Sequence, residues 1–214
     1  MNIHTIILAG GKGTRMLSQK AKVLQALGGR TMLNHVLTTA NKISNKISVV
    51  VGFDKEGVEE EIKKIGINAN TYLQKEQIGT ADAVKTTLKD IDKNEKILIL
   101  YGDVPLIKEE TLKKLCNQES DLSILTTNLE NPTGYGRALK DKENNVLGII
   151  EEKDADLEQK KIKEIFTGIL VTKGGLLKNF IPEIENNNSA KEFYLTDLIG
   201  IAHKNGFKIN TLSS

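Results

Sequence analysis

A single cysteine, Cys116, occurs in 214 residues, so no intrachain disulfide can form and no Cys/His cluster exists for zinc. The histidines, His4, His35 and His203, are scattered, and with Cys116 they read as structural or surface residues. Neither sign of charge is in excess: 30 basic residues face 28 acidic ones, for a net charge of +2. That balance gives no reason to expect nucleic acid or an anionic membrane as partner, so any cationic function must be local. No apolar run approaches the ~20 residues of a membrane span. The opening "MNIHTIILAG" lacks the basic region and long apolar region of a secretory signal. The expectation is a cytoplasmic protein. No Pro/Gly/Ser linker, internal repeat or low-complexity tract divides the chain.

What is present is the composition of a folded domain, 39% hydrophobic and 27% charged. Residues 1–214 are expected to form one domain. Up to residue 120, apolar runs alternate with amphipathic segments. Strands are expected at "HTIIL", "KISVVVG", "NANTYLQ" and "KILILYGD". Helices are expected at "TMLNHVLTTANKI", "KEGVEEEIKKIG", "GTADAVKTTLKDI" (with Thr80 as its N-cap) and "KEETLKKLCNQ". This order predicts an α/β fold with a mostly parallel sheet and helices on both faces. From about Asp121 the pattern changes to strands without long helices between them: "DLSILTTNL", "YGRALKD", "NVLGIIEEKD" and "EIFTGILVTK". Helices around "GGLLKNFI" and "YLTDLIGIAHKNG" follow. Residues 121–214 thus read as added strands and a second lobe on the same sheet.

One stretch suggests chemistry. "LAGGKGTRM", Leu8 to Met16, directly follows the first strand and carries three glycines, Lys12 and Arg15. In open α/β sheets ligands bind beyond the carboxyl ends of the strands. Glycines there let backbone N–H groups approach an anion and form a nest for phosphate. The loop fits neither the Walker pattern nor the dinucleotide pattern, because Met16 stands where the latter needs its third glycine. Alone, it reads equally as a tight strand-to-helix turn. Two further residues weigh against that. Lys22 follows shortly after, and Asp103, in "LYGDVPL", closes the strongest apolar strand. A carboxylate in the same crevice as a cationic glycine loop suits Mg²⁺ and a polyphosphate, or serves as a turn or helix cap.

"LAGGKGTRM" with Lys22 resembles the signature of the sugar-phosphate nucleotidyltransferases. "QKEQIGTADAV", "YGDVPLI", "PTGYGRALKDKENNVLGIIEEKDA" and "EFYLTDLIGIAHKNG" narrow the resemblance to the pyrophosphorylase domain of bacterial bifunctional N-acetylglucosamine-1-phosphate uridylyltransferases. It runs from about residue 3 to the end of the chain. The resemblance implies a Rossmann-like nucleotidyltransferase fold, dependence on Mg²⁺, and UTP and a sugar 1-phosphate as substrates. It makes 1–120 the nucleotide-binding half and 121–214 the sugar-binding half. By the same resemblance, Leu8, Ala9, Gly10, Gly11 and Gly13 lie against the nucleotide, and Gln74, Gly79 and Thr80 recognise uracil. Arg15 and Lys22 offset the phosphate charge as catalytic residues, and Asp103 holds Mg²⁺. Tyr101, Gly102, Gly136, Glu151, Phe166 and Thr196 surround the sugar.

The chain departs from that pattern in three places. Ala21 replaces a proline before Lys22, which is expected to loosen the loop. Phe166 replaces a sugar-contacting asparagine, which is expected to weaken sugar binding or change the preferred sugar, so that asparagine at 166 should improve use of N-acetylglucosamine 1-phosphate. The chain also carries neither the second metal-binding asparagine nor the acetyltransferase β-helix of the family. Acetyl transfer and a trimer are therefore not expected, and a monomer or weak dimer is. Alternatives that follow are a different sugar 1-phosphate, or a weakly active regulator that binds a UDP-sugar.

Overall fold

The computed structural model describes residues 2–13, 18 and 20–214. Among these, a nine-stranded mixed sheet forms the spine, in the order β11-β7-β10-β6-β1-β4-β5, with β8 and β9 attached beside β10. The parallel part comprises β1 (Ile3–Leu8), β4 (Lys46–Val51), β5 (Asn70–Leu73) and β6 (Lys96–Tyr101). β10 (Glu164–Lys173) enters antiparallel between β6 and β7 (Leu122–Asn128). β8 (Arg137–Lys140) and β9 (Val146–Ile150) form an antiparallel pair at its side.

The central strands are apolar on both sides because both sides are covered. In β6, Ile97 and Ile99 join one core while Leu98 and Leu100 join the other. α1 (Met32–Asn41), α2 (Lys55–Ile65) and α4 (Glu109–Cys116) pack on one face, each through a buried stripe such as Leu33, Val36, Leu37 and Ala40. α3 (Thr80–Lys85), α5 (Gly174–Phe180) and α6 (Asp197–Lys204) cover the other. Cys116 is buried in the first of these cores, and burial pushes its thiol up to about 11, so it is not a reactive nucleophile. Among the described residues no helix is long and apolar enough to cross a membrane.

Three features depart from the sequence reading. The N-cap of α3 is Gly79 rather than Thr80, which is the first helical residue and makes no capping bond of its own. A short hairpin, β2 (Ala26–Leu27) with β3 (Arg30–Thr31), turns at Gly28 and Gly29, whose φ values of 59° and 82° match the turn that a two-residue hairpin prefers. β11 (Ile209–Ser213) adds a parallel edge strand beside β7.

Candidate active site

The carboxyl ends of β1, β5 and β6 meet at one cavity of about 350 Å³. Leu8, Ala9, Gly10, Gly11 and Gly13 line one side of it. The Ala9 N–H donates to Val50 O at 2.8 Å, and Phe53 N–H donates to Gly10 O at 3.0 Å, so the loop leaves β1 held against β4 and the turn after it. Nothing lies within 4 Å of a Cβ built on Gly11, which leaves its backbone open to a ligand. Gly13, at φ 62°, lies directly on Lys22: a Cβ there would sit 2.6 Å from Lys22 Cβ. Arg15 lies outside the described residues.

Lys22 and Asp103 both line the cavity and form an ion pair, Nζ to Oδ2, at 2.6 Å. Both side chains remain partly exposed. Among the described residues no group of three or more His, Cys, Asp or Glu side chains could hold a metal by itself. Asp103 is thus a single carboxylate beside space large enough for phosphates. That donor set fits Mg²⁺, which keeps several waters and binds through one or two carboxylates plus substrate oxygens.

Gln74, buried at the end of β5, donates through Nε2 to Gly79 O at 3.0 Å and to Asp82 Oδ2 at 2.9 Å. Both amide protons are committed, so Oε1 is left to accept a bond. Among the described residues it makes none. The sequence reading allowed Gln74 to act as donor and acceptor; the geometry makes it an acceptor. Gly79 is required where it stands. Its φ is 138°, and a Cβ would meet Phe193 O at 2.3 Å. Thr80 Oγ1 accepts from the Leu195 N–H at 2.9 Å.

Tyr101, the last residue of β6, also lines this cavity. Burial pushes its phenol well above the ordinary range. The neighbouring Thr80 hydroxyl draws it down, and the Glu151 and Asp103 carboxylates push it further up. The Tyr101 ring lies on Gly168, where a Cβ would be 2.8 Å away and where β10 shifts register.

Glu151 and Thr196 line a second cavity, of about 450 Å³, together with Asp154, Tyr194 and Asp197. Thr196 Oγ1 donates to Glu151 Oε1 at 2.9 Å. Burial raises the Glu151 carboxyl, and burial with the nearby Glu151 and Asp154 charges pushes Asp197 up to about 6.

The remaining residues of the expected sugar set line neither cavity. Gly102 is buried, its N–H donating to Leu8 O at 2.9 Å, and a Cβ there would meet Val23. Gly136 is buried against Ile149 and Glu151, and its carbonyl accepts from the Phe166 N–H. Phe166 is buried: its side chain is 5% exposed and packs in the core shared with Leu195 and Leu198. A large apolar ring at this position goes to the core, whatever stands there in relatives. Val23, Gln77, Ala83 and Glu192 line the first cavity without having been singled out. The first three lie beside or within the quoted motifs. Glu192 opens the quoted "EFYLTDLIGIAHKNG", but only the fold brings that stretch to the loop at 79.

Residues 5–155 match the family model described as the MobA-like NTP transferase domain. The chain is 44% identical, over 215 aligned positions, to the bifunctional protein GlmU of Ruthia magnifica subsp. Calyptogena magnifica. That alignment takes in all of this chain and 47% of GlmU, so the chain spans about half the length of this curated relative. Among solved structures, a protein from Bacillus anthracis described as a glucose-1-phosphate thymidylyltransferase, in complex with a sucrose, superposes with a TM-score of 0.78 at 19% identity. The superposition covers 99% of this chain and 87% of that one, and shows a shared fold.

Proposed function

The chain belongs to the MobA-like NTP transferase domain family, and from that premise we propose that it transfers a uridylyl group from UTP to N-acetylglucosamine 1-phosphate, yielding UDP-N-acetylglucosamine and pyrophosphate. The observation that carries this reading is the first cavity. It joins an open glycine loop, the Lys22–Asp103 pair and the Gln74 carbonyl in one space. The 44% identity to GlmU across the whole chain supports the same chemistry.

A phosphate oxygen of the sugar 1-phosphate attacks the α-phosphorus of UTP. A new P–O bond forms, the bond to the bridging oxygen breaks, and pyrophosphate leaves with its electron pair. The attacking oxygen is already ionised near neutral pH, so no general base is required. The barrier is mainly mutual repulsion and misorientation of two anions. Backbone N–H groups of the glycine loop hold the triphosphate, and Lys22 and Arg15 offset its charge. Mg²⁺, held by Asp103 and phosphate oxygens, would supply further charge neutralisation at the phosphates. Gln74 Oε1 accepts the N3–H of uracil. Cytosine has no hydrogen there, so the same oxygen would face a lone pair and reject it. Glu151 and Thr196, in the second cavity, take the sugar hydroxyls.

The test is pyrophosphate release with Mg²⁺ across four nucleoside triphosphates and several sugar 1-phosphates. A maximum at UTP with N-acetylglucosamine 1-phosphate is expected. A maximum at another sugar would keep the uridylyl transfer and reassign the acceptor. UTP binding without turnover in any combination would overturn the catalytic reading.

A further inference from the structure

The turn after β4 touches the phosphate side of the cavity twice. Phe53 N–H holds the Gly10 carbonyl, and one residue later Asp54 Oδ2 accepts the Ala21 N–H at 3.0 Å. Asp54 precedes α2, where a carboxylate ordinarily caps its own helix, yet it makes no side-chain capping bond there. Its bond runs instead to a residue 33 positions away in the chain. Its backbone lies in the left-handed region, at φ 55° and ψ 43°, which non-glycine residues seldom adopt. Gly57 leaves the space the carboxylate occupies: a Cβ there would lie 2.5 Å from Asp54 Oδ1. Local conformation, a glycine in the first turn of α2, and a long-range bond all favour one placement of this side chain.

Ala21 is fully buried, and the next residue is Lys22. Lys22 lies under Gly13 on one side and reaches Asp103 with its ammonium. Anchoring the peptide before Lys22 fixes where its Cα sits, and hence where its charge can reach. A proline at position 21 would have no N–H to give, so this anchor is open to the chain because position 21 is not proline.

We propose that Asp54 is a positioning residue for Lys22, which it holds through the Ala21 N–H; the proposal rests on Lys22 being the phosphate cation of the reading above. The bond from the Ala21 N–H takes the place of the ring constraint that a proline would supply. The loosening expected from Ala21 is thereby offset.

The test compares D54G with D54N, since glycine and asparagine both accept the left-handed backbone and differ in the acceptor. D54G should lower kcat/KM for UTP about tenfold or more, the scale of a misplaced catalytic group, with KM for the sugar phosphate within about twofold of the parent. D54N, which keeps an oxygen for Ala21, should stay within about threefold of the parent. In calorimetry with UTP, D54G should weaken binding in the parent but not in a K22M background. Ala21 amide exchange should accelerate in D54G and not in D54N. Unchanged turnover in D54G, an equal loss in D54N, an undiminished D54G effect beside K22M, or unchanged Ala21 exchange would each overturn the proposal. Absence of UTP binding by the parent protein, with the exchange result as expected, would count against the nucleotide reading alone.

Discussion

The Lys22 ammonium and the Asp103 carboxylate lie 2.6 Å apart, although 81 residues separate them in the chain. Without ligand the two charges answer each other. Under the proposed function each must turn to a substrate partner, Lys22 to phosphate and Asp103 to Mg²⁺. Both side chains are partly exposed, so parting them costs little. Lys22→Met should lower kcat/KM for UTP by about 10²- to 10³-fold, the size of losing one electrostatic stabiliser. Asp103→Asn should instead raise the Mg²⁺ concentration needed for half-maximal rate. A Mg²⁺ titration of both variants separates the roles. An unchanged midpoint in Asp103→Asn would remove Asp103 from the metal. Arg15→Ala should resemble Lys22→Met in turnover, with little loss of fold.

Gln74→Leu should remove the acceptor for uracil while keeping the side chain's bulk. The expected result is a fall of about tenfold or more in the ratio of kcat/KM for UTP to that for CTP, since the variant loses the uracil bond and removes the oxygen that rejects cytosine. Loss of one buried hydrogen bond has about that effect. The ratio of the two constants is the measurement, and an unaltered ratio would place base selection elsewhere.

Two glycines on the same cavity should behave differently. Gly79→Ala puts a Cβ within 2.3 Å of Phe193 O at φ 138°. It should destabilise the fold by about 2 kcal/mol or more, a drop in Tm of roughly 4–8 °C. Gly11→Ala meets nothing within 4 Å. Its Tm should stay within about 2 °C of the parent while UTP affinity falls, because the methyl group occupies ligand space.

Phe166→Asn should not restore a sugar contact. With 5% exposure, the ring is core, and an amide in its place is buried without its bulk. A destabilisation of about 3 kcal/mol or more is expected, read by denaturant unfolding. A stable variant with improved use of N-acetylglucosamine 1-phosphate would show that the position faces the sugar after all.

Asp197 gives a pH dependence. Burial and the Glu151 and Asp154 charges hold its carboxyl at about 6, above its ordinary 3.8. Between those values the folded protein holds a proton that the unfolded chain releases. The stability from this group is full below the lower value and is lost as pH rises through the upper one. Asp197→Asn should therefore raise Tm relative to the parent near pH 8, and leave it unchanged near pH 4. Equal differences at both pH values would mean the carboxyl does not titrate as the cavity implies.

The alternation of apolar runs and amphipathic segments was enough to read the parallel core, because strands covered on both faces leave continuous apolar sequence. β11 was not legible, since "INTLS" is half-buried and carries no such run. The glycine loop, Lys22 and Asp103 were legible as motif residues and do meet in one cavity. Phe166 was read as a sugar neighbour from its place in a motif, which fixes a position in the chain but not the direction of a side chain; its burial was not legible. Thr80 as a cap was misread because the close approach of Phe193 demands glycine one residue earlier. Asp54 gave no signal, since one aspartate before a helix reads as an ordinary cap.

The contact between the loop at Gly79 and the irregular stretch at Phe193 also sets an order of events. Phe193 N–H bonds Ile78 O, Ala81 N–H bonds Phe193 O, and Leu195 N–H bonds the Thr80 hydroxyl. On the ribosome, residues 78–81 emerge more than a hundred positions before their partners. The loop at 78–81 thus waits, unpaired, until residues 193–195 follow it, along with the central slot that β10 fills between β6 and β7. A nascent chain that has not yet released residue 195 has a glycine loop but an unfinished first cavity, so any ligand of that cavity can stabilise the fold only after residue 195 has emerged.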